Sequence, residues 1–132
     1  MKRKSARIFT TLLSAAILCL PAAAHHGSQG YDFSGPKKTL KGTVTRFAWQ
    51  NPHAQLYIDV KDEKGNVVNW GFETAGPNSL YRRGYRKGLI MPGITVTIQG
   101  YLAKDGSHTG NAHILTMEDG KVIPLGSETN PG

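Results

Sequence analysis

Apolar and polar residues alternate along most of the chain beyond residue 40, and this two-residue period predicts β-strands. The alternating runs are rich in β-branched and aromatic residues, which favour strands. Turn-forming pairs such as Asn51-Pro52, Pro92-Gly93 and Asp119-Gly120 separate the runs. The pattern therefore predicts six strands, at residues 40–49, 54–61, 67–74, 94–102, 112–117 and 122–125.

Strict alternation also assigns side chains to faces of the predicted strands. In the first strand it places Val44 and Arg46 on one face and Phe47 on the other. In the third strand Trp70 and Phe72 share a face, which we assign to the core. The same period places the acids Asp59 and Glu73 outside the core, so each is expected to be an outward residue or an ion-pair partner.

The order of the elements predicts the fold. Residues from Gly76 to about Gly88 form a short helical or turn-rich segment between the third and fourth strands. Three strands, a short helical insert and two further strands are the element order of the OB-fold, a small, partly open five-stranded barrel. We therefore expect an all-β, OB-like barrel with a short sixth strand. A β-sandwich or an open sheet is the alternative. Exposed strand edges in an open barrel could pair with a second copy, so the sequence does not determine the oligomeric state.

The start of the chain has the layout of a secretory signal. Basic residues precede a mostly apolar run at residues 8–20, and Ala22-Ala23-Ala24 is a small-residue cleavage site. We predict a cleaved signal at residues 1–24 and a periplasmic or secreted protein. A retained membrane anchor and a lipoprotein cut before Cys19 are the alternatives. The mature chain would have an extended arm at 25–39, the barrel at 40–126 and a flexible tail at 127–132.

Composition narrows the classes of function. Without residues 1–24 the chain has twelve Lys and Arg against nine Asp and Glu, a mild excess that does not indicate nucleic acid as a partner. The single cysteine is lost with the signal, and the sequence lacks the HExxH, CxxC, P-loop and GxSxG motifs. The missing motifs argue against the ordinary enzyme classes and favour a non-catalytic binding protein. A copper-dependent oxidative enzyme is the less favoured alternative.

The histidines are the candidate metal ligands. Cleavage after Ala24 would place a free α-amine beside the rings of His25 and His26, a nitrogen donor set that suits Cu(II). His53 lies at the bend between the first two strands and His108 in the loop between the fourth and fifth, the two loops that flank the usual ligand face of an OB-fold. We expect these two rings to approach each other, and the arm to bring His25 or His26 to them. Each histidine also has an alternative role. His25 and His26 would simply begin a flexible polar segment, whereas His53 would hydrogen-bond the backbone of the bend and His108 would be a solvated loop residue.

Two further surfaces are candidates for binding. Asn51 and Pro52 shape the loop that presents His53, and Trp49 with Tyr57 forms either a stacking surface or a cover for the barrel. A basic segment at residues 81–87 is either a solvated face or a docking site for an envelope protein or anionic lipid. Its proposed contacts are Arg82, Arg83, Arg86 and Lys87.

Several of these pieces together resemble a family of small exported bacterial proteins of unknown function. The most specific are the His25-His26-Gly27 start and the bend from Trp49 through Asn51-Pro52-His53, and the Leu40–Val44 stretch, Trp70, Glu73 and Pro92-Gly93 fit the same pattern. The resemblance implies an exported, OB-like β-domain. It supplies no activity.

Overall fold

A computed structural model describes residues 30–126, which fold into six strands and one short helix. The predicted signal segment, His25, His26 and the predicted tail from residue 127 lie outside the described residues. The elements are β1 (Lys38–Ala48), β2 (Gln55–Lys61), β3 (Val67–Glu73), α1 (Pro77–Arg82), β4 (Thr95–Leu102), β5 (Thr109–Met117) and β6 (Val122–Pro124). No helix within residues 30–126 has the length and apolar character needed to cross a bilayer.

The strands close into a barrel with OB-fold connectivity, as predicted. β1 pairs antiparallel with both β2 and β4, β2 pairs with β3, and β4 pairs with β5. A parallel pairing between β3 and β5 closes the five strands. β6 adds to the far end of β5 as a sixth strand.

Inward-facing apolar side chains from every wall of the barrel form one core. Phe72, Leu56, Ile58 and Ile98 are fully buried, and burial of each side chain contributes about 1.5–3 kcal/mol. The barrel is narrow at Phe72, because a Cβ on Gly110 of β5 would lie 2.8 Å from the Phe72 ring. The other buried residues of this core are Val44, Ala54, Ala75, Leu80, Ile90, Val96, Ala112, Leu115, Ile123 and Leu125.

The predicted alternation of β1 is wrong after Thr45, because a β-bulge interrupts the strand there. Val44 pairs with Ile58, but the next pair is Arg46 with Tyr57, so the register shifts by one residue. Arg46 therefore points outward over the Tyr57 ring, and Phe47 turns toward the core. Strict alternation carries no signal for such an insertion.

The segment between β3 and β4 is a short helix followed by turns, as predicted. The helix covers Pro77–Arg82 and ends before the glycine at position 84, which has a φ of 88°. β5 begins at Thr109 rather than at residue 112. Pairing on both sides extends β5, since β3 aligns Gly71 with Thr109 and β4 aligns Leu102 with Gly110. A local pattern contains no information about these long-range partners.

Residues 30–37 form an arm that lies across the outside of the barrel. The Tyr31 backbone bridges to Ala103, and the N–H of Lys104 donates to the carbonyl of Gly30. The Phe33 ring meets the Tyr101 ring edge-on, with 5.1 Å between centroids. The arm therefore covers Tyr101, which is only 8% exposed although it points away from the core.

Candidate functional site

A histidine and a carboxylate meet at the outer surface near the end of β3. Nδ1 of His53 lies 3.2 Å from Oε1 of Glu73 and 3.2 Å from the carbonyl oxygen of Thr74. The His53 side chain is 44% exposed and that of Glu73 only 13%. One edge of the imidazole is therefore held by the protein while the ring as a whole stays accessible.

The loop between β1 and β2 sets the position of His53. Its Asn51–Pro52 peptide is cis, and the Pro52 carbonyl lies against the backbone of Gly76, where any Cβ would overlap it. On the other side of His53, the N–H of Thr74 donates to the Ala54 carbonyl at 2.9 Å. These contacts bind the loop to the chain that follows β3, and so place His53 beside Glu73.

The partners of Nδ1 determine the tautomer of His53. A carboxylate oxygen and a carbonyl oxygen are both acceptors, so Nδ1 must carry the proton. In the neutral ring Nε2 then has a free lone pair. A histidine held in this way by a carboxylate is the usual arrangement of a metal ligand and its supporting group.

The arm reaches the same carboxylate. The Tyr31 hydroxyl donates a hydrogen bond of 3.2 Å to Oε2 of Glu73, so the two carboxylate oxygens serve different partners. Burial raises the pKa of Tyr31 to about 12, with further contributions from the Glu73 charge and the hydrogen bond. The phenol is therefore protonated at neutral pH, and it ties the arm to the His53–Glu73 pair.

Glu73 also lies within a row of outward side chains that crosses four strands. Register aligns it with Gln55 on β2 and with Asn111 on β5, and Asn111 is aligned in turn with Tyr101 on β4. Residues in register share a face of the sheet. Gln55 and Asn111 are therefore the polar neighbours of Glu73 on the same face of the sheet. Beyond Asn111 lies Tyr101, which the arm covers.

The expectation that His53 and His108 approach each other is wrong. The His108 ring packs against Trp70, with 5.0 Å between centroids, whereas His53 contacts Glu73. Trp70 and Glu73 are an odd number of residues apart on β3, so they point to opposite faces of the strand. Within residues 30–126, no group of three or more His, Cys, Asp or Glu side chains is placed to hold a metal ion.

The aromatic residues mostly cover the barrel. Trp49 packs edge-on against Phe47 with 5.3 Å between centroids and joins the edge of the core. Tyr57 is covered by the Arg46 guanidinium, which lies 4.3 Å from its ring centroid. Trp49 and Tyr57 therefore do not form a free stacking surface.

The basic segment divides into two kinds of residue. Arg83 donates a hydrogen bond of 2.8 Å to the Gly126 carbonyl, and Arg86 donates to the carbonyls of Tyr81 and Tyr85. Arg82, Arg86 and Lys87 are exposed, and Arg83 is partly buried. Two of the four cations thus make hydrogen bonds within the protein, and docking of a partner through this segment stays a prediction.

Sequence reasoning missed Tyr31 as a site residue and did not pair Glu73 with His53. Glu73 was expected to be an outward residue or ion-pair partner, and both descriptions hold. Glu73 directly precedes Thr74, Ala75 and Gly76, the segment against which the bend packs. Its place at the end of a predicted strand was the one feature of the sequence that pointed to it. Tyr31 gave none, because its contact depends on how the arm crosses the barrel.

Comparison with known proteins gives a family but no activity. No curated protein matches the sequence. The sequence model of a family of unknown function, DUF6152, matches residues 12–112, a stretch that includes His53, Glu73 and Tyr31. The chain, a small β-barrel protein, therefore belongs to DUF6152, a family of unknown function.

Proposed function

We propose that this protein binds a divalent metal, with copper as its preferred ion, in the periplasm or outside the cell. His53 is the ligand from the barrel, and His25 and His26 are the ligands from the segment before the arm. The observation that supports this best is the His53–Glu73 pair, which fixes Nδ1 as the proton carrier and leaves Nε2 available. His108 is not part of the proposed site.

The position of the arm supports a contribution from the N-terminal histidines. Tyr31 contacts Glu73, which contacts His53. His25 precedes Tyr31 by six positions. An extended chain spans at most about 3.3–3.6 Å per residue, so His25 can lie anywhere within roughly 20 Å of Tyr31. The site next to Glu73 is well inside that reach.

Copper fits the proposed donor set. Cleavage after Ala24 would give one amine and up to three imidazoles, and Cu(II) prefers tetragonal nitrogen ligation. Neutral rings are required for ligation, so copper affinity should fall as the pH is lowered and protons compete for the ring nitrogens.

The test uses the full 132-residue chain, exported and processed by a bacterial host. Intact mass establishes the first residue of the exported protein. Cu(II) is then added, and the d–d absorption band and the nitrogen splitting in the electron paramagnetic resonance spectrum are recorded. We expect one copper per chain, and loss of His53 in a His53→Ala variant should weaken binding by about tenfold or more.

His108→Ala is the matched control, since this ring packs on the opposite side of β3. It should leave the affinity and the spectrum unchanged. The absence of a d–d band at one equivalent of copper would refute the proposal. A mature chain that begins at Gly27, or equal effects of the His53 and His108 substitutions, would refute the proposed ligand set.

A further inference from the structure

A second concave site, of about 310 Å³, lies between the end of β1 and the loop at residues 87–92. It shares no residue with the His53 site. Phe47, Ile90, Met91 and Pro92 supply an apolar lining, and Ile90 is only 5% exposed. Its size is at the lower end of the range of small-ligand pockets in proteins.

The bulge in β1 creates one wall of this pocket. Arg46 and Phe47 directly follow the register shift, so that the outward Arg46 lies at the edge of the pocket and the inward Phe47 lines its wall. The opposite wall is held by backbone bonds, since the N–H of Gly93 donates to the Val44 carbonyl at 2.8 Å and the N–H of Val44 donates to the Ile94 carbonyl at 2.9 Å. These hydrogen bonds join β1 to the end of the loop, so the two walls of the pocket are held at a fixed separation.

Both charged residues of the pocket are cations. Arg46 and Lys87 are exposed at its edge, and no acidic residue lines it. Among residues 30–126 neither has a carboxylate within salt-bridge distance, the one such pair being His53 with Glu73. The Tyr57 ring holds the Arg46 guanidinium in place, 4.3 Å from the ring centroid.

We propose that this pocket binds a small amphipathic anion, a single alkyl chain that ends in a carboxylate. The chain would occupy the apolar lining, and the carboxylate would pair with Arg46 and Lys87 by charge-assisted hydrogen bonds. Met91, which is 52% exposed, supplies an adaptable wall for a flexible chain. The positive edge selects against neutral and cationic molecules of the same shape.

Decanoate, below its micelle concentration, is the probe. Trp49 packs against Phe47, so a ligand at Phe47 changes the surroundings of the indole. Trp70→Phe leaves Trp49 as the only tryptophan. We expect a saturable change in Trp49 fluorescence, and isothermal titration of the unsubstituted protein should give one site with the same affinity. Decanol and decyltrimethylammonium, at equal chain length, should bind at least about tenfold more weakly, because they lose the ionic pairs.

Two variants test the assignment of residues. Lys87→Gln removes one cation, and Met91→Asp places a negative charge in the apolar wall. Each should weaken decanoate binding by about tenfold or more. Arg82→Gln is the matched control, since Arg82 is an exposed cation of the same segment that does not line the pocket.

Three results would overturn the proposal. They are equal affinity for decanol and decanoate, binding that survives both Lys87→Gln and Met91→Asp, and binding to anionic phospholipid vesicles with none to monomeric decanoate. The last result would indicate a membrane-surface contact instead. Because Lys87 is exposed, the glutamine variant should fold even if Met91→Asp does not.

Discussion

Nδ1 of His53 lies 3.2 Å from Oε1 of Glu73, although twenty residues separate the two in sequence. The contact joins the bend after β1 to the end of β3, and Tyr31 brings the arm to the same carboxylate. One side chain thus connects three segments of the protein. It also fixes the chemistry of the imidazole, because the second partner of Nδ1 is a carbonyl and hence another acceptor.

The first prediction concerns Glu73 and copper. Glu73→Gln keeps an acceptor for His53 Nδ1 but removes the negative charge of the group that supports the ring. We expect copper affinity to fall by about tenfold, the lower end of the effect of removing a group that supports a metal ligand. Competition with a chelator of known copper affinity measures it.

Asp59→Asn is the control for that substitution. Asp59 is another acid on the outside of the barrel, and it accepts a hydrogen bond from Asn69 instead of contacting His53. Its replacement should leave copper binding unchanged. If both variants lost copper affinity equally, the loss would reflect the change in overall charge, and Glu73 would not support His53 as a ligand.

The second prediction is a dependence of stability on alkaline pH. The pKa of Tyr31 is about 12 in the folded protein against an ordinary value of 10.0. Between these values the unfolded chain loses the phenol proton first, so this contribution to stability is complete below pH 10 and is lost as the pH rises toward 12. Urea unfolding at increasing pH should therefore show a steeper loss for the parent protein than for Tyr31→Phe.

Glu73→Gln separates the causes of that shift. It removes the charge and weakens the hydrogen bond, but the burial that contributes most remains. The Tyr31 pKa should then fall yet stay above 10.0, as measured by ultraviolet or carbon NMR titration of the phenol. An unchanged pKa would show that Tyr31 and Glu73 are not in contact in solution.

The third prediction concerns Gly76. Its φ of −68° is available to alanine, so the cost of Gly76→Ala is steric: the new Cβ would overlap the Pro52 carbonyl. We expect a loss of about 1–3 kcal/mol in the free energy of unfolding, the range for overpacked sites, together with a displaced bend. The imidazole NMR signals of His53 should move as well.

Gly30→Ala is the matched substitution for this test. A Cβ on Gly30 would have no neighbour within 4 Å. Unfolding by urea should show little change for it. A Gly76→Ala protein as stable as Gly30→Ala would mean that the bend does not pack against Gly76.

The fourth prediction separates two neighbouring cations. Arg83 donates to the Gly126 carbonyl across the molecule, whereas Arg82 is exposed. Arg83→Met should reduce the free energy of unfolding by about 1–2 kcal/mol, since it leaves a carbonyl without its charged donor. Arg82→Met should have almost no effect. Similar results for the two variants would argue against a structural role for Arg83.

Local pattern in the sequence was sufficient for the architecture. The alternation of apolar residues, the positions of Gly and Pro and the order of the elements predicted the OB-like barrel and most strand ends to within a few residues. This succeeds because a strand with one buried face must repeat every two residues whatever it pairs with. The pattern also singled out His53 and its Asn51-Pro52 bend, since a proline that interrupts a strand marks a corner.

Only the tertiary structure decided which side chains meet. The bulge after Val44 turned Arg46 outward and Phe47 inward, and pairing with β3 on one side and β4 on the other lengthened β5. His108 and His53 lie in the two loops that were both predicted to flank the ligand face, but they contact opposite faces of β3. The convergence of Tyr31, His53 and Glu73 depends on barrel closure and on the path of the arm. These are contacts between distant segments, and a local period contains no information about them.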